Sequence, residues 1–333
     1  MRVIVVGAGV MGRNHARILS ESSFAELVGV VDSDAAAAKA MAGRVNVAAF
    51  TDPMIAVDET RADAAIVAVP TEHHHAVALS LIERGVHVLV EKPIARTVAE
   101  GQELVAAAVR AGVTLSVGHV ERFNPAVIEL KRRLDRGDLG AIFMVHSRRQ
   151  SPYPRRIMDV GVAADLASHE LDMMRYLVGS PGRVLGSAVS RRIHPSHEDI
   201  VFGLLRFQSG ALGVLDVNWV TPTKVRDITV TGERGMFVVN YLAQELFFYS
   251  NAGAGESQNE SSWLPGHDFT VDEGDMLRVH ISRREPLLSE LESFVESCRS
   301  GTRPVVDGTD GVAALHLSQD IVARGTVDEP TYV

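Results

Sequence analysis

The sequence predicts an α/β protein with two domains, a doubly wound parallel sheet followed by an α+β domain. Up to residue 120, short apolar runs typical of strands alternate with segments of helical character, which indicates a parallel sheet. After residue 182, strand-like runs follow one another without helices between them, as in an antiparallel sheet. The chain has 333 residues, more than one core usually holds. We therefore expect domains at 1–120 and 121–333.

Composition and charge narrow the possible functions. Hydrophobic residues make up 46% of the chain and charged residues 23%, and the formal charge of −9 favours a small-molecule partner over nucleic acid. Cys298 is the only cysteine, so no internal disulfide can form and a reducing compartment fits. No apolar stretch reaches the roughly 18 to 20 residues that span a membrane, and no signal-peptide cleavage pattern follows the start. We expect a cytoplasmic protein that binds neither membrane nor nucleic acid.

The first strand, helix and second strand enclose a glycine motif. Residues 2–6 predict a strand, GAGVMG follows at 7–12, and a helix runs to about Leu19. The next strand ends at Asp32, about 20 residues after the last glycine, as in the dinucleotide-binding fingerprint of a Rossmann domain. A glycine triplet alone would only indicate a turn, whereas the strand, the helix and the acid together indicate a cofactor site.

Each residue of this motif has a physical role. Gly7 allows the tight turn, Gly9 lets the backbone approach a pyrophosphate, and Gly12 lets the helix pack on the sheet. The helix start at Val10 and Met11 presents backbone N–H groups and the positive end of the helix dipole to the anion.

Asp32 sets the expected choice of cofactor. Its carboxylate can accept hydrogen bonds from an adenosine ribose diol and would repel a 2′-phosphate. Ser33 and Asp34 follow it, so no adjacent arginine offsets that repulsion. NAD is therefore expected rather than NADP.

The alternation continues with further strands and helices. Strands are predicted at 62–70, 86–93 and 113–119, with helices at 72–85 and 97–111. Ligands bind beyond the carboxyl ends of such strands. The residues at those ends are Pro70, Thr71, Glu91, Lys92 and His119.

The end of the strand HVLVE is unusual because it leads into Glu91, Lys92 and Pro93. A buried strand should not carry a charged pair into the core, and proline cannot donate to a sheet ladder. The strand should therefore stop here, with Lys92 held at its carboxyl end.

Three consecutive histidines, His73 to His75, suggest a metal site at first sight. Neighbours in a helix point about 100° apart, so they cannot converge on one ion. We expect no metal and interpret them as residues of a helix start, with His74 near the cofactor.

The second part of the chain begins with a helix at 124–136. Strand-like runs follow at 183–192, 199–208, 210–220, 225–232, 235–242 and 244–250. Amphipathic helices are predicted at 285–299 and 308–323.

A helix predicted at 161–179 carries Asp165, His169 and Asp172 on one edge, within about 60° of one another. Such an edge can be a solvated face with i, i+4 pairs. It can also be a general base, since an acid one turn from a histidine fixes the tautomer of the ring.

Four arginines shortly precede this helix. Arg148, Arg149, Arg155 and Arg156 offer the planar cationic donors that bind a diphosphate, although a solubilising basic loop would have the same composition.

GAGVMG, VEKPIA, GHVERFNPAV and DLASHELD occur in this order, and together they resemble the Gfo/Idh/MocA family of NAD(P)-dependent sugar and cyclitol oxidoreductases. The resemblance implies a Rossmann domain and an α+β domain with a large open, mainly antiparallel sheet. That sheet commonly forms oligomer contacts in the family, so a homodimer or homotetramer is expected.

The resemblance also implies the catalytic residues. In the family the lysine of EKP and the Asp/His pair meet at the nicotinamide, so Lys92, Asp165 and His169 carry over. His169 would accept the proton of the substrate hydroxyl, Lys92 would stabilise the charge that develops on that oxygen, and Asp165 would orient the pair. His119 and Arg122, from the GHVERFNPAV motif, are expected at the substrate.

Within the family, the stretches VGHVERFNP, 147–177 and VNWVTPTKVRDITVTGERG are similar to the members that act on UDP-N-acetylglucosamine. This implies oxidation of a secondary hydroxyl, C3, of a UDP-N-acetylhexosamine. An inositol or free-sugar dehydrogenase would share the catalytic residues but have no use for the arginines. A non-catalytic NAD-binding regulator is the other alternative, and the intact catalytic residues argue against it.

Overall fold

The structure is a computed structural model that describes residues 1–154, 160–253 and 271–328. Its strands are β1 Arg2–Val6, β2 Glu26–Val31, β3 Ala48–Phe50, β4 Ala64–Val67, β5 His87–Glu91, β6 Leu115–Gly118, β7 Ile142–Gln150, β8 Pro181–Ser190, β9 Ile200–Phe207, β10 Leu212–Asn218, β11 Val225–Gly232, β12 Gly235–Asn240, β13 Glu245–Asn251, β14 Glu273–Val279 and β15 Thr326–Asp328. Its α-helices are α1 Val10–Glu21, α2 Ala35–Val45, α3 Pro53–Thr60, α4 Thr71–Glu83, α5 Val98–Ala111, α6 Pro125–Asp135, α7 Ser168–Val178, α8 Pro286–Ser300 and α9 Gly308–Arg324. A 3₁₀ turn at Val120–Phe123 and a π turn at Ala163–Ala167 complete the helical structure of the described ranges.

The chain forms two compact units. The first unit contains Met1–Phe123 and Glu285–His316, and the second contains Asn124–Arg284 and the chain from Leu317 onward. The first boundary lies near the expected position, but the segment from Glu285 to His316 belongs to the first unit. The reason is the apolar face of α8, where Leu291 and Phe294 are buried in the same core cluster as β1.

The first unit contains the predicted parallel sheet. Its strands follow the order β3-β2-β1-β4-β5-β6, and all the neighbouring pairs are parallel. Local chemistry fixes the helix starts: the side chain of Asp34 caps α2, Asp52 caps α3, and Thr97 with Glu100 forms a capping box on α5. The Rossmann expectation is confirmed.

The second unit contains a large, mainly antiparallel sheet, as expected. Within the described residues it has nine strands in the order β14-β13-β12-β11-β7-β10-β9-β8-β15. Only the β7–β10 and β8–β15 pairs are parallel. The central strand β7 was not among the strands predicted from the sequence.

One face of this sheet is exposed and rich in apolar side chains. Phe202 and Leu204 of β9 and Leu212 of β10 are each more than two-fifths exposed, whereas their neighbours along each strand are buried. The expected homodimer or homotetramer remains a prediction.

In the described ranges, every helix is too short or too polar to cross a lipid bilayer.

Candidate active site

The first unit has a cleft of about 520 Å³ beyond the carboxyl ends of β1, β2 and β4. It is lined by Val6, Gly7, Gly9, Val31, Asp32, Ser33, Thr51, Pro53, Ala68, Val69, Pro70, His73 and Val77. Four predicted cofactor residues, Gly7, Gly9, Asp32 and Pro70, are therefore brought together. Ser33 and Thr51 were missed. Ser33 follows Asp32 at the end of β2, so the carboxyl-end rule could have found it, whereas Thr51 follows β3, a strand that the sequence did not predict.

The glycine loop has the geometry that a dinucleotide needs. Gly7 has a φ of 108°, and a Cβ at Gly12 would overlap the carbonyl group of Gly7. Gly9 lines the cleft, yet a Cβ there would meet no protein atom within 4 Å. The protein's own packing does not require glycine at this position, so a bare backbone here keeps the space open for a ligand.

Helix α1 begins at this loop without a side-chain cap. Gly9 is its N-cap, and Val10 and Met11 form its first turn, so their backbone N–H groups lack a capping side chain. Uncapped amides beside an open glycine loop fit the pyrophosphate of a bound dinucleotide.

The carboxylate of Asp32 is held rigidly at the end of β2. Its Oδ2 accepts a hydrogen bond from the backbone N–H of Ala8 at 2.7 Å, and its Oδ1 accepts one from Asp34 at 2.9 Å. Each oxygen keeps a further acceptor site, which suits a ribose diol. The described residues that line the cleft include no lysine or arginine that could neutralise a 2′-phosphate.

The positions of the three consecutive histidines differ from the expectation that His74 lies near the cofactor. His74 is buried, with Nδ1 2.7 Å from the carbonyl oxygen of Pro93 and Nε2 2.9 Å from that of Val69. Burial lowers the pKa of His74, and the neutral ring that this favours can donate to only one of these two carbonyl oxygens while its body packs α4 against the two loops. His73 lines the cleft instead, because one helical step turns the side chain by about 100°. His75 lies on the surface, 2.9 Å from Glu103.

Across the described ranges, no group of three or more histidine, cysteine and acidic side chains is arranged to hold a metal ion.

β5 ends at Glu91, as the sequence predicts, and Lys92 follows it half-buried. The carboxylate of Glu91 faces the interior, where its Oε1 lies 2.7 Å from Nε2 of the buried His15. Burial alone would raise the pKa of Glu91, but the hydrogen bond and charge of His15, with the charge of Lys92, outweigh burial and lower it. Glu91 therefore stabilises the end of β5 from the interior of the first unit. The sequence suggested instead that it contacts the cofactor.

A second buried acid was missed. Glu290 of α8 is 1% exposed, and neither of its carboxyl oxygens has a hydrogen-bond partner. Burial and the negative charge of Glu91 raise the pKa of Glu290 well above its ordinary value. The helical period could have revealed it, because Glu290 shares the spacing of the apolar residues Leu287, Leu291 and Phe294.

His119 and Arg122 are both buried in the first unit. Nη1 of Arg122 donates hydrogen bonds at 3.0 Å to Oδ2 of Asp310 and to the carbonyl oxygen of Val305. These contacts give Arg122 a structural role at the start of α9. A substrate contact by either residue remains a prediction.

The predicted helix at 161–179 is interrupted in the second unit. The backbone N–H of Ser168 bonds to the carbonyl oxygen of Ala163, five residues earlier, so a π turn precedes α7. The spacing of 100° per residue therefore does not hold between Asp165 and His169. Both side chains are half-buried and Asp172 is 0% exposed, so this edge is not a solvated face. π turns occur often at functional sites.

The arginine group is divided by β7, because neighbouring residues in a strand point to opposite faces. Arg149 is buried, and its Nε donates to Glu170 of α7, which also accepts from Ser147. Arg148 points to the opposite face, where Nε and Nη2 bind the two oxygens of Asp227 at 2.8 and 2.7 Å. Arg148 therefore does not lie on the face that carries α7. Arg155 and Arg156 lie outside the described residues.

Comparison with known proteins identifies the class. Residues 1–119 match the model of an oxidoreductase family with an NAD-binding Rossmann fold, and residues 127–238 match the GFO/IDH/MocA C-terminal domain. The UDP-N-acetylglucosamine 3-dehydrogenase of Acidithiobacillus ferrooxidans is 29% identical over 95% of this chain and 94% of its own. A solved structure of that enzyme superposes with a TM-score of 0.85 at 25% identity, covering 98% of this chain and 97% of that one. Inositol 2-dehydrogenase 2 of Paenarthrobacter aurescens is 33% identical over 65% of this chain and 68% of its own.

Fold, cleft and glycine loop together define an NAD-binding oxidoreductase. The chain belongs to the Gfo/Idh/MocA family and is an oxidoreductase of the sugar and polyol dehydrogenase class.

Proposed function

We propose that the protein uses NAD to oxidise a secondary hydroxyl group, at C3, of a UDP-N-acetylhexosamine. This choice of substrate is supported by the similarity to the Acidithiobacillus ferrooxidans enzyme, which extends over 95% of this chain and includes both units. Inositol dehydrogenases match over a similar share of the chain, one of them at 28% identity over 95% of it, so coverage does not separate the two substrate classes. The choice of NAD as the cofactor is based on Asp32, the only acidic residue among the described residues that line the cleft.

The proposed chemistry assigns three residues to one reaction. Bound in the cleft, NAD would supply the acceptor for the hydride of the carbon that bears the hydroxyl group. His169 takes the proton of that hydroxyl, and the loss of this proton together with the hydride converts the carbon–oxygen single bond into a carbonyl. Lys92 donates a hydrogen bond to the same oxygen and stabilises its developing negative charge. Asp165 fixes the tautomer of His169 and stabilises its protonated form.

Two features of the structure support these roles. The half-buried positions of Asp165 and His169 are accessible enough for reaction and shielded enough for strong electrostatics. The π turn interrupts the regular hydrogen bonds of the helix, and such turns occur often at functional sites. Its presence beside Asp165 and His169 therefore favours a functional role for this segment.

An inositol or free-sugar dehydrogenase is the second candidate, and one observation favours it. Arg148 and Arg149 are engaged by Asp227 and Glu170, so neither guanidinium group is placed for a diphosphate. The nucleotide-sugar proposal therefore depends on Arg155 and Arg156.

Substrate preference tests this proposal. With saturating NAD, kcat/KM should be higher for UDP-N-acetylglucosamine than for N-acetylglucosamine or myo-inositol, measured as NADH formation. Arg155→Ala and Arg156→Ala should raise KM for the nucleotide sugar with little change in kcat, because diphosphate contacts stabilise the ground and transition states alike. Arg148→Ala is the matched control and should leave KM unchanged. A higher kcat/KM for inositol would replace the proposal with the second candidate and leave the catalytic residues in place.

Cofactor choice depends on Asp32. Asp32→Asn keeps an oxygen that can accept from Ala8 but removes the charge. It should lower kcat/KM for NAD by about 10- to 100-fold, since a hydrogen bond to a charged group contributes about 1.5 to 3 kcal/mol. It should also reduce discrimination against NADP, because the repulsion of the 2′-phosphate is lost. Asp63→Asn, at the amino end of β4, should leave the ratio unchanged. A wild-type preference for NADP would contradict the role of Asp32.

A further inference from the structure

The start of the helix that carries Asp165 is held by one acidic residue from a distant loop. The carbonyl oxygen of Glu198 accepts from the backbone N–H of Val162 at 3.0 Å, and its Oε1 accepts from that of Ala163 at 3.0 Å. The first N–H groups of a helix have no partner within the helix. Glu198 thus satisfies two consecutive amides and places a carboxylate at the positive end of the helix dipole.

Gly161 makes room for this contact. A Cβ at Gly161 would overlap the carboxylate of Glu198, so the carboxylate occupies the space that any other side chain would need. The carbonyl oxygen of Gly161 in turn accepts from the backbone N–H of Asp165 at 3.1 Å. A continuous set of contacts therefore runs from Glu198 through the helix start to Asp165.

Glu198 is itself held firmly because the next residue, Asp199, organises the whole loop. Asp199 is 0% exposed, and its carboxylate accepts from the backbone N–H groups of Arg192 and His194 at 2.9 Å and also from that of Ile193. Its own N–H donates to Ser190 at the end of β8, and its carbonyl oxygen accepts from Trp219 after β10. The loop is thereby fixed to the ends of two strands.

The π turn is braced from the opposite side as well. The hydroxyl of Ser318 on α9 donates to the carbonyl oxygen of Ala163 at 3.0 Å, and that of Ser168 donates to Ala164 at 2.7 Å. Ala163 is therefore held at its N–H by Glu198 and at its carbonyl oxygen by Ser318. Contacts from two separate elements fix the turn.

We propose that Glu198 is a positioning residue, which sets the π turn that bears Asp165 and so the direction from which Asp165 meets His169. This inference rests on the proposed function, because that function assigns the reaction to Asp165 and His169. Glu198 acts through Asp165 and takes no part in the chemistry itself.

The chain offers a matched control for the removal of such a contact. Glu233, in the same unit, accepts from the backbone N–H of Ala141 at 3.0 Å, and its carboxylate also occupies the space of a Cβ, at Gly140. It lies at the entry to β7 rather than at the π turn. Glu198→Ala and Glu233→Ala therefore remove the same type of contact in different places.

The test measures kcat, KM and the melting temperature, using whichever sugar substrate gives the highest turnover with NAD. Glu198→Ala should lower kcat by about 10- to 100-fold, since small misplacements of a catalytic group have effects of this size. KM for NAD should stay within about two-fold, because the cofactor cleft is formed by residues of the first unit. Glu198→Gln keeps the Oε1 acceptor and should recover most of kcat. Glu233→Ala should lower the melting temperature comparably and leave kcat unchanged.

Gly161→Ala provides a second, independent test of the role of Glu198. The added methyl group should displace the carboxylate of Glu198 and lower kcat, and it should have no further effect when Glu198 is already alanine. Wild-type kcat in folded Glu198→Ala or Gly161→Ala, or additive effects in the double variant, would overturn the inference. Retained turnover in Lys92→Ala and His169→Ala would instead overturn the proposed function, so the two failures are distinguishable.

Discussion

Lys92→Ala is expected to lower kcat by about 100- to 1,000-fold, the usual effect of losing one donor to a developing oxyanion. Lys92 follows the last residue of β5, and the core around the strand end is formed by Val88, Leu89 and Val90. Removing the lysine side chain therefore leaves the buried strand intact. Binding of NADH, measured by its fluorescence, should change little.

The control for this variant is Lys39→Ala, which removes an exposed lysine from α2 of the same unit. It should leave both kcat and NADH binding at wild-type values. Turnover near the wild-type rate in purified, folded Lys92→Ala would remove the lysine from the mechanism.

The start of the first unit was predictable because its information is local. β1 and β2 are parallel strands buried on both faces, so they appear in the sequence as unbroken apolar runs. The glycine loop and Asp32 lie between and after them at fixed spacing. By contrast, α2, β3 and α3 were not predicted: α2 is mostly alanine and glycine with little contrast between its faces, and β3 has only three residues.

In the second unit, the strands from β8 to β13 were predictable and β7 was not. β7 carries His146, Arg148 and Gln150 on one face, with Ser147 and Arg149 on the other. A strand so rich in polar residues resembles a loop, and the sequence left the arginines as one group that either binds a diphosphate or belongs to a solubilising basic loop. Their separation becomes evident only when the strand is known, because alternation sends neighbouring side chains to opposite faces.

The candidate site could be predicted as a set of residues but not as a geometry. Lys92, Asp165 and His169 were identified by their motifs. The π turn between the last two was not, because its supports, Glu198 and Ser318, are more than 30 and 150 residues away in the sequence. The helical period likewise showed that α8 is amphipathic, but it could not show which core receives that face.

Glu290 gives the second large expected effect, on stability rather than turnover. The side chain is buried beside Glu91, and burial together with that negative charge raises its pKa well above the ordinary value. In the unfolded chain the group ionises near its usual pKa of about 4.3. Between these two pKa values the folded state holds one proton more than the unfolded state.

The sign of the pH dependence follows from that proton. The contribution of Glu290 to stability is fully present below the unfolded pKa and is lost as the pH rises through the folded pKa. The free energy of unfolding should therefore fall with rising pH, by at most about 1.4 kcal/mol per pH unit from this one group. Glu290→Gln replaces the neutral acid with a neutral amide of similar shape and should abolish this component. The variant should gain stability over the wild-type protein as the pH rises from the unfolded pKa towards the folded pKa.

Urea unfolding of the cofactor-free protein at several pH values measures the difference, with Glu296→Gln as the control. Glu296 is an exposed carboxylate on the same helix, and its replacement should leave the pH dependence as in the wild-type protein. Parallel pH profiles for wild type and Glu290→Gln would show that Glu290 ionises alike in both states and is not held neutral by burial. Glu91→Gln then separates the two causes, since it removes the neighbouring charge. Because burial is the larger cause, the loss of stability with pH should persist in that variant but level off at a lower pH.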